Sequence, residues 1–169
     1  MDECAMHRVY LSLGSNIAPQ RHLGAAIEAL RARFGEIAVS PVYRSAAVGF
    51  DGPAFLNLAV GIDTQLDPVA LDAWLHALED REGRRRDGPR YSSRTLDIDI
   101  VLYGEQIVRG PGHLEIPRPE LAEPFVLVPL ADIAPDARDP RSGRTIAELL
   151  ATLPPGPALE RVPLGAGSA

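Results

Sequence analysis

The chain has 169 residues, of which 46% are apolar and 24% are charged, a composition typical of a globular protein with one domain and too small for separate nucleotide and substrate domains. Its formal net charge is −6, which argues against a nucleic-acid partner, and all 17 basic residues are arginine, which excludes a phosphate-loop lysine and a Schiff-base lysine. A single cysteine excludes a disulfide framework and a cysteine zinc site. The sequence shows neither an apolar run long enough for a membrane span nor an N-terminal signal core. We therefore expect a cytoplasmic monomer without a membrane partner.

The first part of the chain alternates between strand-like and helix-like patterns. Apolar residues at every second position predict a strand over residues 7–14. Apolar residues at helical spacing then predict an amphipathic helix that begins at Pro19 and ends at Gly35. Residues 36–45 are rich in β-forming side chains, although Pro41 confines that stretch to a sheet edge or a bulge.

Two further strands enclose a second helix. Residues 55–64 alternate strictly and predict a strand. Asp67 as N-cap and Pro68 in the first turn begin a helix that ends near Gly83, and residues 94–104 contain the clearest strand. The order β-α-β-β-α-β predicts an α+β fold, a ferredoxin-like sheet with both helices on one face.

A C-terminal extension follows the fourth strand, with weaker patterns. Short apolar runs predict strands at residues 114–116 and 126–130, and apolar spacing predicts a helix over residues 145–153. The last residues are rich in proline, glycine and alanine. We therefore predict a single domain over residues 1–153 and a mobile tail over residues 154–169.

The strongest local signal is a pair of acids, Asp97 and Asp99, within the fourth predicted strand. Side chains at positions i and i+2 leave a strand on the same face, so both carboxylates project together while Leu96, Ile98 and Ile100 enter the core. Adjacent carboxylates repel each other unless a cation lies between them, and Mg²⁺ bound to a nucleotide favours this arrangement. The alternative is a strand whose outer face is simply acidic.

An arginine-rich segment directly precedes this strand. From Arg81 to Arg94 the chain carries six arginines against Glu82 and Asp87, a local excess of four positive charges, set among Gly, Pro and Ser residues. Guanidinium groups bind phosphate oxygens in pairs, so the segment is typical of a loop that closes over an anion. Two alternatives remain open: a solvated basic loop paired with the surplus acids, and a nucleic-acid patch, for which the single aromatic Tyr91 is weak support.

Other patterns are less specific. The turn from Leu13 to Asn16 offers backbone N–H groups to an anion, but it is two glycines short of a dinucleotide fingerprint and more often marks an ordinary turn. Phe55 and Asn57 share the face of their strand opposite the core, where they suit a flat heterocycle or, equally, a small apolar cluster. The four histidines lack metal-ligand spacing, and no nucleophile is indicated.

Several motifs occur together and in order: VYLSLGSN from Val9, VYRS from Val42, FLN from Phe55 and SSRTLDIDIVLYG from Ser92. Over residues 9–135 the sequence resembles the 6-hydroxymethyl-7,8-dihydropterin pyrophosphokinases of folate biosynthesis. The resemblance implies transfer of pyrophosphate from ATP to the hydroxymethyl group of the pterin, with release of AMP. It also implies the ferredoxin-like fold that the order of elements indicates independently.

The resemblance further implies roles for individual residues. Asp97 and Asp99 would be ligands of two Mg²⁺ ions that bridge the triphosphate of ATP, and Arg84 and Arg94 would stabilise the charge that develops during transfer. The implied ATP-binding residues are Arg84, Arg86, Arg90, Arg94 and Arg118. The implied pterin pocket comprises Ser45, Ala46, Val48, Phe55, Asn57 and Phe125.

The chain departs from the family pattern near the implied ATP site. Ser92 and Ser93 precede Arg94 where the family has Gly-Pro or Ala-Pro, and Tyr91 stands where a tryptophan is usual. Arg118 stands where the family commonly has a histidine, so a charged side chain would replace a histidine contact to ATP. No arginine directly precedes the pocket phenylalanine.

The expected mechanism is in-line attack of the pterin hydroxyl on the β-phosphorus, promoted by positioning and charge compensation without a dedicated base. An ordinary kinase of the same fold would release ADP. A non-catalytic pterin or nucleotide binding protein is a second hypothesis, against which the retained aspartates and arginines argue. An RNA-binding ferredoxin-like domain is a third, but it would need paired aromatic residues and a basic sheet face.

Overall fold

The computed structural model describes residues 6–45, 53–83, 95–154 and 159–164. Within these residues the chain forms a mixed α/β fold with an antiparallel sheet and four α-helices, which confirms the predicted fold class in its coarse outline. The strands are β1 (His7–Ser15), β2 (Ala38–Val39), β3 (Val42–Ser45), β4 (Phe55–Thr64), β5 (Asp97–Tyr103), β6 (Val108–Arg109), β7 (Glu115–Ile116) and β8 (Glu160–Val162). The α-helices are α1 (Pro19–Phe34), α2 (Pro68–Arg81), α3 (Pro124–Ile133) and α4 (Ile146–Ala151).

The main sheet has the strand order β5-β1-β4-β3-β8, and β2 also pairs with β4. Every pair is antiparallel. Ser40 and Pro41 separate β2 from β3, so the proline does interrupt the predicted strand. The Ser40 hydroxyl accepts a hydrogen bond from the Ala59 N–H over 2.8 Å. This bond connects the segment between β2 and β3 to β4. Strands β6 and β7 form a separate two-stranded sheet.

Helices α1 and α2 cover one face of the sheet, as predicted. Strand β1 contributes Val9, Leu11 and Leu13 to this core, all of them fully buried, and the alternating apolar residues of β4 and β5 join them. The predicted starts of both helices are confirmed. Pro19 occupies the first turn of α1, and the Asp67 carboxylate accepts the Ala70 N–H over 2.8 Å at the start of α2.

Helices α3 and α4 cover the opposite face, where they pack around Ala59 and Val101. The prediction of a strand at residues 126–130 was wrong, because this segment lies within α3. Its valines and leucines favour a strand locally, but Pro124 begins a helix and the buried side chains of Val126, Leu127 and Leu130 follow helical spacing. The predicted helix near residue 145 is confirmed: Thr145 and Glu148 form a capping box.

The segment predicted to be a mobile tail contains β8, which pairs with β3 through Val162 opposite Val42. Val162 and Leu164 also pack against the main core. Three residues are too few for an alternation to be recognised, so the sequence carried no signal for this strand. Among the described residues, none of the helices is both long and apolar enough to cross a membrane.

Candidate active site

Asp97 and Asp99 lie on the outer edge strand of the sheet, β5, with both side chains on the face that α3 covers. The residues between and after them, Ile98 and Ile100, are each 2% exposed and belong to the opposite core. The predicted orientation of the two carboxylates is therefore confirmed. Strand alternation alone brings the two acids together on one face.

Burial and like charge act together on Asp99. They raise the pKa of its carboxyl to about 8, first because burial penalises the charged form and second because Asp97 is close. The guanidinium of Arg118 opposes this rise, whereas Glu79 and Glu120 add to it. Among the described residues, the charged groups that act on Asp99 are therefore three carboxylates and one guanidinium.

Gly14 connects the acidic pair with the predicted pterin pocket. On β1 it pairs with Asp97 of β5 on one side and with Asn57 of β4 on the other, so the three residues form one rung across the sheet. A side chain at this position would meet Oδ1 of Asn57 at 2.9 Å and the ring of Phe55 at 3.7 Å. The absence of a side chain at Gly14 therefore lets the amide of Asn57 lie against the backbone of β1. Asp97 and Asn57 are two strand spacings, ~10 Å, apart across this rung.

The amide of Asn57 is fixed in orientation. Its Nδ2 donates to Oγ of Ser45 over 2.6 Å, and the residue is only 4% exposed. Phe55 stands opposite Ser45 in the β3–β4 pairing. Three of the predicted pterin-binding residues are therefore neighbours at one end of β3 and β4, and they present a hydroxyl, an amide and an aromatic ring.

Two further predicted residues come from the C-terminal extension. Phe125 lies in the first turn of α3 and packs at the edge of the second core. Arg118 precedes a short 3-10 helix (Pro119–Ala122), and its N–H donates to the carbonyl of Val101 on β5 over 3.2 Å. The extension thus adds one aromatic ring and one guanidinium to the face that carries the acids.

The remaining predicted site residues lie outside the described part of the chain. They are Ala46, Val48, Arg84, Arg86, Arg90 and Arg94.

Glu79 is a residue that sequence reasoning missed. It lies on α2, is 2% exposed, and its Oε2 accepts the N–H of Ile98 over 2.6 Å. Ile98 pairs with Leu13 of β1, and the Glu79 carboxylate holds its N–H, so the carboxylate fixes the backbone between the two aspartates. A signal was present in the sequence: Glu79 follows Leu71, Leu75 and Leu78 on the apolar face of the helix, where a charged residue is unusual.

The turn that follows β1 is held by its own side chains. Asn16 is 3% exposed and its Nδ2 donates to the carbonyl of Pro53 over 3.0 Å. The Ser15 hydroxyl donates to the carbonyl of Ile17 over 3.2 Å. These contacts join the end of β1 to the chain that enters β4, next to Phe55, and so support the predicted pocket.

The acidic pair suits a hard divalent cation. Mg²⁺ is commonly bound by one or two carboxylates together with phosphate oxygens and water, and the crowded negative charge of Asp97 and Asp99 would be relieved by such an ion. Within residues 6–45, 53–83, 95–154 and 159–164, no group of three or more His, Cys, Asp or Glu side chains is arranged to hold a metal ion. Asp97 and Asp99 supply two carboxylates for an ion whose other ligands come from a substrate.

A comparison with protein families identifies the chain. The family model described as 7,8-dihydro-6-hydroxymethylpterin-pyrophosphokinase matches residues 10–135, most of the sequence. The chain belongs to this pyrophosphokinase family. The predicted family and the predicted enzyme class are thereby confirmed.

Relatives of this family extend over nearly the whole chain. A Pseudomonas aeruginosa protein named 2-amino-4-hydroxy-6-hydroxymethyldihydropteridine pyrophosphokinase is 45% identical over 164 residues, covering 94% of this chain and 98% of that protein. Proteins of the same name from Methylorubrum extorquens and Synechocystis sp. are 42% and 37% identical, covering 93% and 91% of this chain and 99% and 83% of those proteins.

A solved structure shares the fold. The crystal structure of wild-type Plasmodium falciparum HPPK-DHPS aligns with a TM-score of 0.72 at 14% sequence identity, over 89% of this chain. This chain spans 45% of that one. At this level of identity the likeness supports the pyrophosphokinase fold alone.

Proposed function

We propose that the protein transfers the β,γ-pyrophosphoryl group of ATP to the hydroxymethyl group of 6-hydroxymethyl-7,8-dihydropterin, with AMP as the second product, in folate biosynthesis. One observation supports this proposal above others: the rung Asp97–Gly14–Asn57 joins the acidic pair to the residues of the proposed pocket across one face of the sheet. This spacing suits a reaction that must bring a metal-bound triphosphate to a small flat alcohol.

The pterin pocket of the proposal is built around Asn57. Its amide donates to the Ser45 hydroxyl, and the remaining polar capacity of both groups would serve the amide and amine edge of a pterin. Phe55 and Phe125 supply the aromatic surfaces for the ring. Ala46 and Val48 complete the proposed pocket.

The phosphate site of the proposal combines cations from three sources. Two Mg²⁺ ions, held by Asp97 and Asp99, would neutralise charge on the phosphate oxygens and orient the triphosphate. Arg118 would bind a phosphate oxygen of ATP from the edge of β5. The arginines of the segment that precedes β5, namely Arg84, Arg86, Arg90 and Arg94, would bind further oxygens, with Arg84 and Arg94 nearest to the group in transfer.

The proposed chemistry follows from this placement. The pterin hydroxyl oxygen attacks the β-phosphorus, the bond from that phosphorus to the α,β-bridging oxygen breaks, and AMP departs with the bridging oxygen. The hydroxyl proton passes to solvent, since no dedicated base is proposed. The residues contribute by holding the two substrates in line and by compensating charge, which is the main source of catalysis in phosphoryl transfer. Glu79 keeps the aspartate backbone in position for this purpose.

We also propose that the sheet is ferredoxin-like and belongs to a single domain over residues 1–153. If β2 and β3 are taken as one interrupted strand, the order β5-β1-β4-β3 and the antiparallel pairs support this topology. Strand β8 is then an addition at the sheet edge, and α3 and α4 are additions on the face that carries the site.

The experiment that tests the proposed function is separation of nucleotide products after incubation with Mg-ATP, with and without the hydroxymethylpterin. We expect AMP only when the pterin is present, and none in excess chelator. Asp97→Asn should lose turnover by at least a hundredfold, whereas Asp63→Asn, at the far end of β4 in an exposed ion pair with Arg8, should not. Formation of ADP, or equal turnover in the two variants, would refute the proposal.

A further inference from the structure

The rung that contains Asp97, Gly14 and Asn57 continues to the other edge of the sheet. Tyr43 of β3 stands opposite Asn57, and Arg161 of β8 stands opposite Tyr43. Directly opposed residues of antiparallel strands project on the same face, with their Cβ atoms about 5 Å apart. Tyr43 is therefore the cross-strand neighbour of the amide around which the proposed pocket is built, and Arg161 lies one strand further out.

The Tyr43 hydroxyl joins three elements on this face. It donates to Oδ2 of Asp132, near the end of α3, over 2.5 Å, and it accepts an N–H from Nη2 of Arg161 over 3.3 Å. The same Nη2 lies 3.8 Å from Oδ1 of Asp132. Burial first and the Asp132 carboxylate second raise the pKa of Tyr43, so the hydroxyl keeps the proton that it donates. Hydrogen bonds in such a chain strengthen one another, and this chain connects β3, α3 and β8.

The side of α3 that the Tyr43 hydroxyl holds is the side that carries Phe125. Asp132 follows Phe125 by seven residues, about two helical turns, so the two side chains lie on the same side of α3 and ~10 Å apart along its axis. Ser45 follows Tyr43 by two residues on the same face of β3, and it accepts the hydrogen bond of Asn57. The hydroxyl therefore fixes α3 relative to the strands that carry the polar groups of the proposed pocket.

The three groups of this hydrogen-bonded chain differ in burial. Tyr43 is 7% exposed, whereas the side chains of Asp132 and Arg161 are 29% and 63% exposed. An exposed ion pair contributes little to stability. An effect of Arg161 on the pterin site can therefore be measured separately from an effect on folding.

We propose that Arg161 and Asp132 are positioning residues of the pterin site, which act through the Tyr43 hydroxyl to hold α3 and its Phe125 against the strands of the pocket. The C-terminal strand β8 thereby takes part in pterin binding. The inference rests on the proposed function, because it takes Phe125 as a pterin-binding residue.

The two substrates should respond differently to this hydrogen-bonded chain. Arg161 and Asp97 lie at opposite edges of the sheet, four strand spacings or ~19 Å apart along the rung. The charge of an exposed side chain is largely screened over this distance. Loss of the chain should therefore weaken pterin binding and leave nucleotide binding unchanged.

Two calorimetric titrations of the full chain test this inference. The first adds a nonhydrolysable ATP analogue with Mg²⁺, and the second adds the hydroxymethylpterin in the presence of that analogue. Tyr43→Phe should weaken pterin binding about five- to tenfold, and Arg161→Gln about threefold, with no change in nucleotide binding. Arg161→Lys keeps the charge and an N–H donor, and it should restore most of the loss. Asp132→Ala should resemble Tyr43→Phe, whereas Asp132→Asn retains an acceptor and should lose less.

The matched control is Arg44→Gln. Arg44 follows Tyr43 on β3 and pairs with Glu160 of β8 over 2.6 Å, so it joins the same two strands from the opposite face. This variant should change neither titration. Equal weakening of pterin binding by Arg44→Gln and Arg161→Gln would overturn the role of Arg161, because the docking of β8 as a whole would then be responsible.

A double-mutant cycle tests whether Arg161 acts through the hydroxyl. In the Tyr43→Phe background, Arg161→Gln should weaken pterin binding much less than it does alone, and its own melting temperature should stay close to that of the unaltered protein. Strictly additive effects, unchanged pterin binding by Tyr43→Phe, or equal weakening of pterin and nucleotide binding would each overturn the proposal. Failure of the proposed function would be recognised separately, as absence of AMP formation by the unaltered protein.

Discussion

Gly14→Ala tests how closely the acidic site and the pterin pocket approach each other. The added Cβ would lie 2.9 Å from Oδ1 of Asn57, closer than such atoms tolerate. Asn57 is 4% exposed and tied to Ser45 over 2.6 Å, so it cannot move aside without disturbing that hydrogen bond. The amide must rotate, and its hydrogen bond must lengthen or break.

The expected effect of Gly14→Ala has two parts, one on stability and one on pterin binding. Overpacking of this kind lowers the free energy of unfolding by about 1–3 kcal/mol, which in a protein of this size corresponds to a fall in melting temperature of about 2–4 °C per kcal/mol. The disturbed amide loses an interaction of about 0.5–1.5 kcal/mol with the pterin. Pterin binding should therefore weaken about two- to tenfold.

The assay is calorimetric titration of the hydroxymethylpterin in the presence of a nonhydrolysable ATP analogue, together with thermal unfolding. Gly24→Ala is the matched control, because no atom lies within 4 Å of the added Cβ on α1, and alanine favours a helix by about 0.5–1 kcal/mol. It should raise stability slightly and leave pterin binding unchanged. Unaltered pterin binding by Gly14→Ala would refute the proposed position of the pocket.

Two further predictions concern the aspartate strand. The pKa of Asp99 is raised from 3.8 to about 8, so the folded protein binds more protons than the unfolded chain between about pH 4 and pH 8. The free energy of unfolding of the metal-free protein should therefore fall as the pH rises through this window. Urea denaturation at several pH values should show a flatter slope for Asp99→Asn. An identical slope in both proteins would contradict the cause given for the shift. Glu79→Ala removes the acceptor of the Ile98 N–H and should lower the free energy of unfolding by about 1–3 kcal/mol. Glu79→Gln retains an acceptor and should lower it less. Equal losses in urea denaturation would contradict a stabilising role of this hydrogen bond.

Local periodicity was sufficient for the elements that position the acids. Strand β5 alternates strictly, so the side on which Asp97 and Asp99 lie was determined by the buried positions of Ile98 and Ile100. The same holds for Asn57 on β4. The orientation of Asp97, Asp99 and Asn57 could therefore be predicted before any tertiary contact was known.

Nonlocal contacts decided what the sequence did not reveal. The segment over residues 126–130 has side chains that suit a strand, but it becomes a helix because the exposed sheet face needs an apolar cover. Strand β8 exists only through its pairing with β3. A strand of three residues has no recognisable period of its own in the sequence.

The hydrogen bonds that support the site could not be predicted either, because they join residues far apart in the sequence. Glu79 reaches Ile98 across 19 positions of the chain, and Asn16 reaches the carbonyl of Pro53 across 37. A side chain that binds a distant backbone group leaves no trace in the spacing of neighbouring residues. Only the burial of a charged residue on an apolar helix face could have drawn attention to Glu79.

The most direct measurement is the fate of isotopically labelled phosphate in a single turnover. With ATP labelled at the γ-phosphate, we expect the label to enter the pterin product, while label at the α-phosphate is recovered only in AMP. The pterin must then carry two phosphates for each AMP released. Recovery of a pterin monophosphate with ADP, or of γ-label as free phosphate alone, would contradict the account.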